Sequence, residues 1–320
     1  MILLVCALAL TAIHADGHVM SLSSGELRLD GAHAELAIEV PLYEVSDLEK
    51  PESTVLDSFV LSSSAGEAKR LEAACETVES EGAFRCRASY ALDEEPASVE
   101  VECRLAETVV SGHVHVLRAF RGDDIEQKVF DYTHRRHTFR FRALTPFELV
   151  TEAASAGFWR ALGGPLQALF ILALAAAARS RRELLVLLAA FVAAEAATAI
   201  LASWQGWRPP ARFLEAAAAL TVAYIGVETL ALPEASGRWL VAGGMGVFHG
   251  LAFGVFLQQT EFAPAPFLGG VAAAEGGLLA LFAGAKSWLG RAFGERRTAQ
   301  ALAGLLIVVG LVWFGFRLRS

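Results

Sequence analysis

Charged residues are scarce in this 320-residue sequence: Asp, Glu, Lys and Arg make up only 19% of it, while 54% is hydrophobic. A soluble globular protein normally has about 25% charged residues. The sequence has no basic patch with interleaved aromatic residues, which argues against a nucleic-acid partner. It also has no phosphate-binding P-loop and no HExxH motif, so ATP-driven transport and zinc proteolysis are not indicated, and we expect no enzymatic activity.

The charges that are present are distributed unevenly. Residues 1–150 contain 14 Lys and Arg against 26 Asp and Glu, whereas residues 151–320 contain 13 against 9. An acidic half with strand-like alternation is thus followed by an apolar, weakly basic half. This asymmetry predicts two domains in two solvents, water and the lipid bilayer.

The first fifteen residues, MILLVCALALTAIHA, predict a signal peptide (residues 1–15), with an apolar run and a small residue, Ala15, at the cleavage site. An uncleaved anchor is the alternative, because no positively charged segment precedes the apolar run. Cleavage after Ala15 would leave Asp16, Gly17 and His18 at the N-terminus. The amine, two amides and the imidazole would then form a square-planar nitrogen site for Cu(II) or Ni(II).

Residues 16–150 predict an extracytoplasmic all-β domain with a sandwich-like fold. The segment GELRLDGAHAELAIEVPL alternates apolar and polar residues about the turn signal DGAH, which is typical of a hairpin. The alternation continues in VVSGHVHVLRAF and HTFRFRAL. His113 and His115 share one face of a predicted strand, and we favour a solvated face over a metal site there.

Three cysteines of this domain, Cys75, Cys86 and Cys103, are disulfide candidates in an oxidising compartment. The segments AFRCRASYA and ASVEVECRL flank the turn LDEEP and direct Cys86 and Cys103 inward, which favours pairing these two. The short spacing between Cys75 and Cys86 favours the other pairing. Both remain open from the sequence, and one thiol is left over in either case.

From about residue 156 the chain consists of apolar runs long enough to span a membrane. A transmembrane domain over 156–320 is predicted to have six helices, at 156–178, 183–203, 212–232, 238–258, 265–286 and 297–317. With the β domain outside, eight Lys and Arg residues lie in the inner loops and four on the outer side, as the positive-inside bias requires. We therefore expect a bacterial inner (cytoplasmic) membrane protein with an extracytoplasmic N-terminal domain.

Four of these spans place a polar residue near the same depth. Gln167 and His249 each lie 11 residues after the start of their spans. Glu195 lies 12 residues and Glu275 10 residues after the start of theirs. At 1.5 Å per residue, about ten residues reach the centre of a hydrocarbon core about 30 Å thick. Burying such groups singly in lipid is costly, so we expect them to face one another as an interior, cation-binding site.

Two further acids and two rows of small residues complete the pattern. Glu215 and Glu228 lie near opposite ends of the third span, about 19 Å apart, so at most one belongs to the central layer.

Small residues recur every four positions in the fourth and fifth spans, which predicts close helix packing. They are Ala242, Gly246, Gly250 and Gly254, then Gly269, Ala273 and Gly277.

These segments resemble the HupE/UreJ-type hydrogenase and urease accessory membrane proteins, in the longer form with an extracytoplasmic N-terminal domain. The resemblance covers roughly 18–320. MGVFHGLAFGVFL is similar to the FGLxHGLGFA signature of that family, and FLEAAAALTVAYIGVETL to its span with a glutamate at each end. HVMSLSSGELRLDGAHAELAIEVPL and SGHVHVLRAF are similar to β-segments of the longer form. The resemblance implies handling of a divalent metal ion, nickel or a similar ion.

The sequence departs from the family pattern at three motifs. GPLQALF has Leu166 and Gln167 where GxDHLLF has Asp and His. FVAAEAATA has Glu195 in place of a histidine, and FLGGVAAAEG has Ala272 and Glu275 at the family's Glu and Gln positions. A site with one histidine and several carboxylates offers harder ligands, mostly oxygen atoms, than a histidine-rich site does. Such a site is less selective for nickel.

We therefore expect a secondary transporter or permease for a divalent metal ion such as Ni, Co, Cu or Zn, carried as substrate. His249, Glu195 and Glu275 would coordinate the ion or relay protons, Gln167 would assist, and Glu215 and Glu228 would gate or funnel. The alternative is a non-transporting membrane accessory or scaffold protein whose β domain binds an extracytoplasmic protein partner.

Overall fold

A computed structural model describes residues 21–109, 113–142 and 144–319, without the side chains of residues 211, 318 and 319. The predicted signal peptide and the proposed metal site of Asp16, Gly17 and His18 lie outside these residues. The chain divides into two compact units between Glu148 and Leu149.

The described part of the N-terminal unit is built mainly of strands. Its elements are β1 Leu22–Asp30, β2 His33–Pro41, α1 Leu42–Val45, α2 Pro51–Asp57, β3 Phe59–Ser63, β4 Gly66–Glu67, β5 Lys69–Val78, β6 Ala83–Ala91, β7 Val99–Cys103, α3 Leu105–Thr108, β8 Val114–Arg121, β9 Asp124–Phe130 and β10 Arg136–Phe139. The strands form a six-stranded sheet in the order β5-β6-β2-β1-β8-β9 and a four-stranded sheet in the order β10-β7-β3-β4. β1 pairs with β8 in parallel, and the other pairs are antiparallel.

The predicted hairpin about DGAH is confirmed. β1 and β2 pair antiparallel as far as Asp30 and His33, and Gly31 has a φ of 56° in the turn, a conformation that glycine adopts without steric cost. Alternate residues of β2 are buried, as the alternation predicted. Apolar side chains of both sheets, such as Leu36 and Val101, belong to one core, which gives the unit its sandwich-like character.

The disulfide joins Cys75 and Cys86, which are paired residues on the neighbouring strands β5 and β6 with Cα atoms 4.1 Å apart. The Cys86–Cys103 alternative is wrong, because LDEEP does not connect two strands of one hairpin. β6 and β7 belong to different sheets. Cys103 is a buried free thiol.

The described part of the C-terminal unit is helical. Its helices are α4 Pro146–Gly163, α5 Pro165–Ala177, α6 Arg181–Gln205, α7 Ala211–Ala231, α8 Arg238–Gln258, α9 Pro264–Phe293 and α10 Glu295–Arg319. Five of them, α6 to α10, are long and apolar enough to cross a membrane, and α4 with α5 would make a sixth span. Large apolar side chains on their outer faces are exposed, including Leu201, Leu240 and Leu281. Such a surface is compatible with a lipid bilayer.

The first predicted span is not one straight helix. α4 and α5 meet at a bend of 74°. The cause is the sequence Gly163, Gly164 and Pro165, since proline has no amide hydrogen and disfavours helical backbone at the residue before it. Gly164 accordingly has extended backbone, with φ −81° and ψ 104°.

Glycines allow close approach between three pairs of the described helices, α6 with α8, α4 with α9 and α7 with α10. A Cβ atom on Gly246 would lie 2.5 Å from the Phe191 carbonyl oxygen of α6. Gly157 of α4 and Gly270 of α9 likewise pack against backbone of the partner helix. The row predicted in the fourth span is thus a packing face. The row in the fifth span is not: neither Gly269 nor Gly277 would bring a Cβ within 4 Å of any described neighbour, because α9 turns the face of Gly270 toward α4.

Candidate functional site

Four helices bring their predicted polar residues together inside the C-terminal unit. Gln167 comes from α5, Glu195 from α6, His249 from α8 and Glu275 from α9. All four side chains are buried, with residue exposures from 0% for Glu275 to 6% for Gln167. Their convergence is what their similar depths in the sequence predicted. We call these four residues the central cluster.

Gln167 holds the central cluster together. Its amide nitrogen donates a hydrogen bond of 2.8 Å to Glu195 Oε1 and another to Glu275 Oε1. Its carbonyl oxygen accepts from His249 Nδ1 at 2.7 Å. The amide therefore uses both hydrogens on the two acids and its oxygen on the imidazole. Glu275 Oε2 remains buried without a hydrogen-bond partner among the described residues.

His249 has a second contact, which the sequence analysis missed. Its Nε2 lies 3.1 Å from the hydroxyl of Thr221 on α7, and this hydroxyl also lies 2.7 Å from the Ala218 carbonyl oxygen. If Thr221 donates its one proton to Ala218, the ring donates from both nitrogens and is an imidazolium. If it donates to Nε2, the ring is neutral. The cluster therefore accommodates either protonation state of the ring.

Thr221 was detectable from the sequence. It lies nine residues into the predicted span 212–232, close to the depth of the other four residues. We expected ionisable and amide side chains at this depth, so its neutral hydroxyl was not predicted to belong to the site.

Aromatic rings enclose the imidazole. The centroids of Phe170 and Phe191 lie 4.7 and 5.3 Å from that of His249. Both phenylalanines are fully buried. Apolar walls weaken the screening of charge, so interactions within the central cluster are stronger than they would be in water.

Glu215 and Glu228 lie outside the central cluster. Glu215 forms an ion pair with Arg317 of α10, and the carboxylate of Glu228 lies 3.7 Å from the guanidinium of Arg238 of α8. The two pairs occupy opposite ends of α7. At most one of the two acids was predicted to join the central layer, and neither does.

Two cations cover the carboxyl end of α5. Lys286 donates to the carbonyl oxygens of Ala175, Ala176 and Ala178 at 2.7–2.9 Å, and Arg238 donates to that of Ala177 at 2.7 Å. Carbonyl groups at a helix end lack partners within the helix, and cations stabilise them.

His113 and His115 lie in the interior of the β unit, so the solvated strand face predicted for them is wrong. Each is 1% exposed. His113 Nδ1 lies 2.7 Å from the carboxylate of Glu44, and its Nε2 lies 2.7 Å from the hydroxyl of Ser23. Ser23 also lies 2.6 Å from His115 Nδ1. β8 lies between β1 and β9 in the large sheet, and the face carrying these rings turns inward.

No group of three or more His, Cys, Asp and Glu side chains is arranged to hold a metal ion within 21–109, 113–142 and 144–319. In the central cluster the Gln167 amide, which donates to both carboxylates, lies where a cation would neutralise them. A cation could bind between the two acids only after this amide moves.

The family model for HupE / UreJ protein matches residues 136–314, which include β10, the whole of α4 to α9 and most of α10. The chain belongs to the HupE/UreJ family. The match confirms the resemblance carried by the His249 segment, and with the apolar helices it makes the chain a HupE/UreJ family membrane protein. A comparison with curated proteins finds no significant match.

Proposed function

We propose that this HupE/UreJ protein is a secondary transporter or permease for a divalent metal ion such as nickel. The observation that carries the proposal is the convergence of Gln167, Glu195, His249 and Glu275 from four helices in one buried cluster. Intramembrane ionisable residues commonly mark ion pathways. Two carboxylates and an imidazole are ligands that first-row divalent metals accept.

In this proposal the central cluster exchanges an internal hydrogen-bond donor for the ion. Gln167 bridges the acids while no ion is bound, and it turns away when Glu195 and Glu275 coordinate one. His249 supplies a nitrogen ligand or takes up a proton, since its ring accommodates both protonation states. The ion pairs Glu215–Arg317 and Glu228–Arg238 gate the two ends.

The location we propose is the bacterial inner membrane, with the β unit extracytoplasmic. Support comes from the excess of basic residues in the loops that would face the cytoplasm. The Cys75–Cys86 disulfide agrees with it, because disulfides persist in oxidising compartments.

The test is uptake of radioactive Ni²⁺ and Co²⁺ into proteoliposomes that contain the full chain. We expect His249→Ala combined with Glu195→Gln to abolish uptake, and Glu195→Gln combined with Glu275→Gln to do the same. Glu234→Gln is the matched control, because Glu234 is exposed in the connection between α7 and α8. Uptake that survives the first double substitution would refute the proposed site.

A second candidate function is a membrane accessory or scaffold protein that transports nothing. The Gln167 amide favours it, since this group donates a hydrogen bond to one oxygen of each carboxyl group without a metal. In this case the β unit would bind an extracytoplasmic protein, and the central cluster would only join helices. Normal metal accumulation in a deletion strain, together with a partner that co-purifies through the β unit, would favour this function over transport.

A further inference from the structure

A cavity of about 560 Å³ lies between α7, α8 and α10. This volume falls within the range of about 300–1,000 Å³ that is usual for sites of small ligands. Phe213, Leu220 and Tyr224 line it and are themselves about half exposed, so the cavity opens on the outer surface of the helical unit. In a bilayer that surface faces lipid.

The deep side of the cavity reaches the central cluster. Thr221 lines it and is 3% exposed, and its hydroxyl lies 3.1 Å from His249 Nε2. Between Thr221 and the mouth the walls are apolar, with Phe248 and Phe314 among them. A long apolar chain would fill such a space, whereas a hydrated ion would lose its water without gaining polar ligands.

The mouth of the cavity is basic. Arg212 and Arg317 line it where α7 begins and α10 ends. Arg317 forms an ion pair with Glu215, so the pair is neutral. Arg212 is exposed, and no hydrogen bond or ion pair involves it within the described part of the chain. Among the described side chains at the mouth one positive charge therefore remains, which opposes a metal cation and attracts an anion.

We propose that this cavity binds one anionic phospholipid, with an acyl chain along the apolar walls and the phosphate on Arg212. Arginine binds phosphate through paired hydrogen bonds. Basic pockets between membrane helices recognise anionic lipid headgroups. Nine residues, or about 13 Å of helix, separate Arg212 from Thr221, so the chain extends from the headgroup level toward the central cluster. The site is independent of whether the protein transports metal.

Lipid retention by the full chain tests the proposal. The protein is equilibrated in nanodiscs with equal amounts of phosphatidylglycerol and phosphatidylcholine that have identical acyl chains. It is then extracted and its bound lipids are counted by native mass spectrometry. We expect one phosphatidylglycerol to be retained in preference to phosphatidylcholine. Arg212→Gln should reduce this preference about tenfold, the loss expected for one charge-assisted contact.

Three further variants locate the bound lipid. Arg212→Lys should keep most of the preference, and Ala217→Trp should displace the lipid by filling the cavity. Arg208→Gln is the charge-matched control, because Arg208 is exposed near the same end of α7 and hydrogen bonds to Gln258. If Ala217→Trp does not yield monodisperse protein, the comparison of Arg212→Lys with Arg212→Gln decides whether the charge at position 212 binds the lipid.

Four outcomes would overturn the proposal. They are equal retention of the two lipids by the unsubstituted protein, an equal loss in Arg208→Gln and Arg212→Gln, unchanged retention in folded Ala217→Trp, and displacement of the lipid by millimolar inorganic phosphate. The last result would show that the site takes a free anion and not a lipid.

Discussion

The α-carbon of Gly250 packs directly against the backbone carbonyl oxygen of Glu195, so a Cβ atom at position 250 would overlap it. The same helix turn presents His249 to the central cluster. The contact therefore couples the spacing of α6 and α8 to the position of two site residues. A change in the packing of α6 against α8 therefore also changes the geometry of the central cluster.

Gly250→Ala should consequently separate α6 from α8. Overpacking of this kind costs about 1–3 kcal/mol, and we expect a lower midpoint of thermal unfolding in detergent together with weaker metal handling. Gly244→Ala is the control, since a Cβ there meets no described atom within 4 Å. Equal stability of the two variants would contradict the close contact.

Gln167→His should convert the central cluster into a better metal site. The substitution replaces a hydrogen-bond donor between two acids with an imidazole, which is a metal ligand when neutral, beside Glu195, Glu275 and His249. We expect the purified variant to retain more nickel per chain than the unsubstituted protein, as measured by elemental analysis. Gln167→Ala controls for the loss of the amide. Equal retention by the two variants would show that the imidazole does not reach the acids.

The β unit should lose stability as the pH falls from 7 to 5.5. Burial lowers the pKa of His115 well below its usual 6.5, with a smaller contribution from His113 nearby. The unfolded chain therefore binds a proton at position 115 in this range that the folded chain does not bind, so acidification favours unfolding. Because intrinsic amide exchange itself slows as the pH falls, the rates are divided by the intrinsic rate at each pH, and the resulting protection factors of peptides from β1 and β8 in the full chain should fall over this interval.

His115→Asn supplies the comparison for the pH experiment, because an amide can still bond to Ser23 but does not titrate. Its protection factors should depend less on pH between 7 and 5.5, whatever its overall stability. The same fall in protection in both proteins would assign the effect to other groups.

Cys103 should be chemically inert in the folded protein. Burial raises the pKa of its thiol to about 12. The reactive thiolate is therefore almost absent near pH 8. Peptide mapping after alkylation should find Cys103 modified only in denatured protein and a Cys75–Cys86 cross-link without reduction. A Cys86–Cys103 cross-link, or rapid labelling of folded protein, would show that the arrangement of strands is different.

Much of the architecture follows from local patterns. Apolar runs predicted the bounds of α6, α7, α8 and α10 to within two residues, and alternation predicted the β1–β2 hairpin. The central cluster was predictable because helical rise converts position in a span into depth. The hydrogen bonds of the central cluster were not predictable, because the depth of a residue does not determine the direction in which its side chain points.

The errors have a common physical origin in contacts between distant parts of the chain. Whether His115 is buried depends on what covers its face of β8, and whether Cys86 meets Cys75 depends on the order of strands in the sheets. The bend at Gly164 was different. Its sequence signal, two glycines and a proline, was present, but the predominantly apolar composition of 156–178 masked it.

The bend also sets the electrostatics of the short helix that follows it. α5 begins at Pro165, so its first turn, with amide groups that lack partners within the helix, carries Gln167. The aligned peptide dipoles place roughly half a positive charge at this end and half a negative charge at the other. The positive end lies beside the acids Glu195 and Glu275, and the negative end lies beneath Lys286 and Arg238. A helix of 13 residues is thus polarised in the sense that stabilises the charges at both its ends.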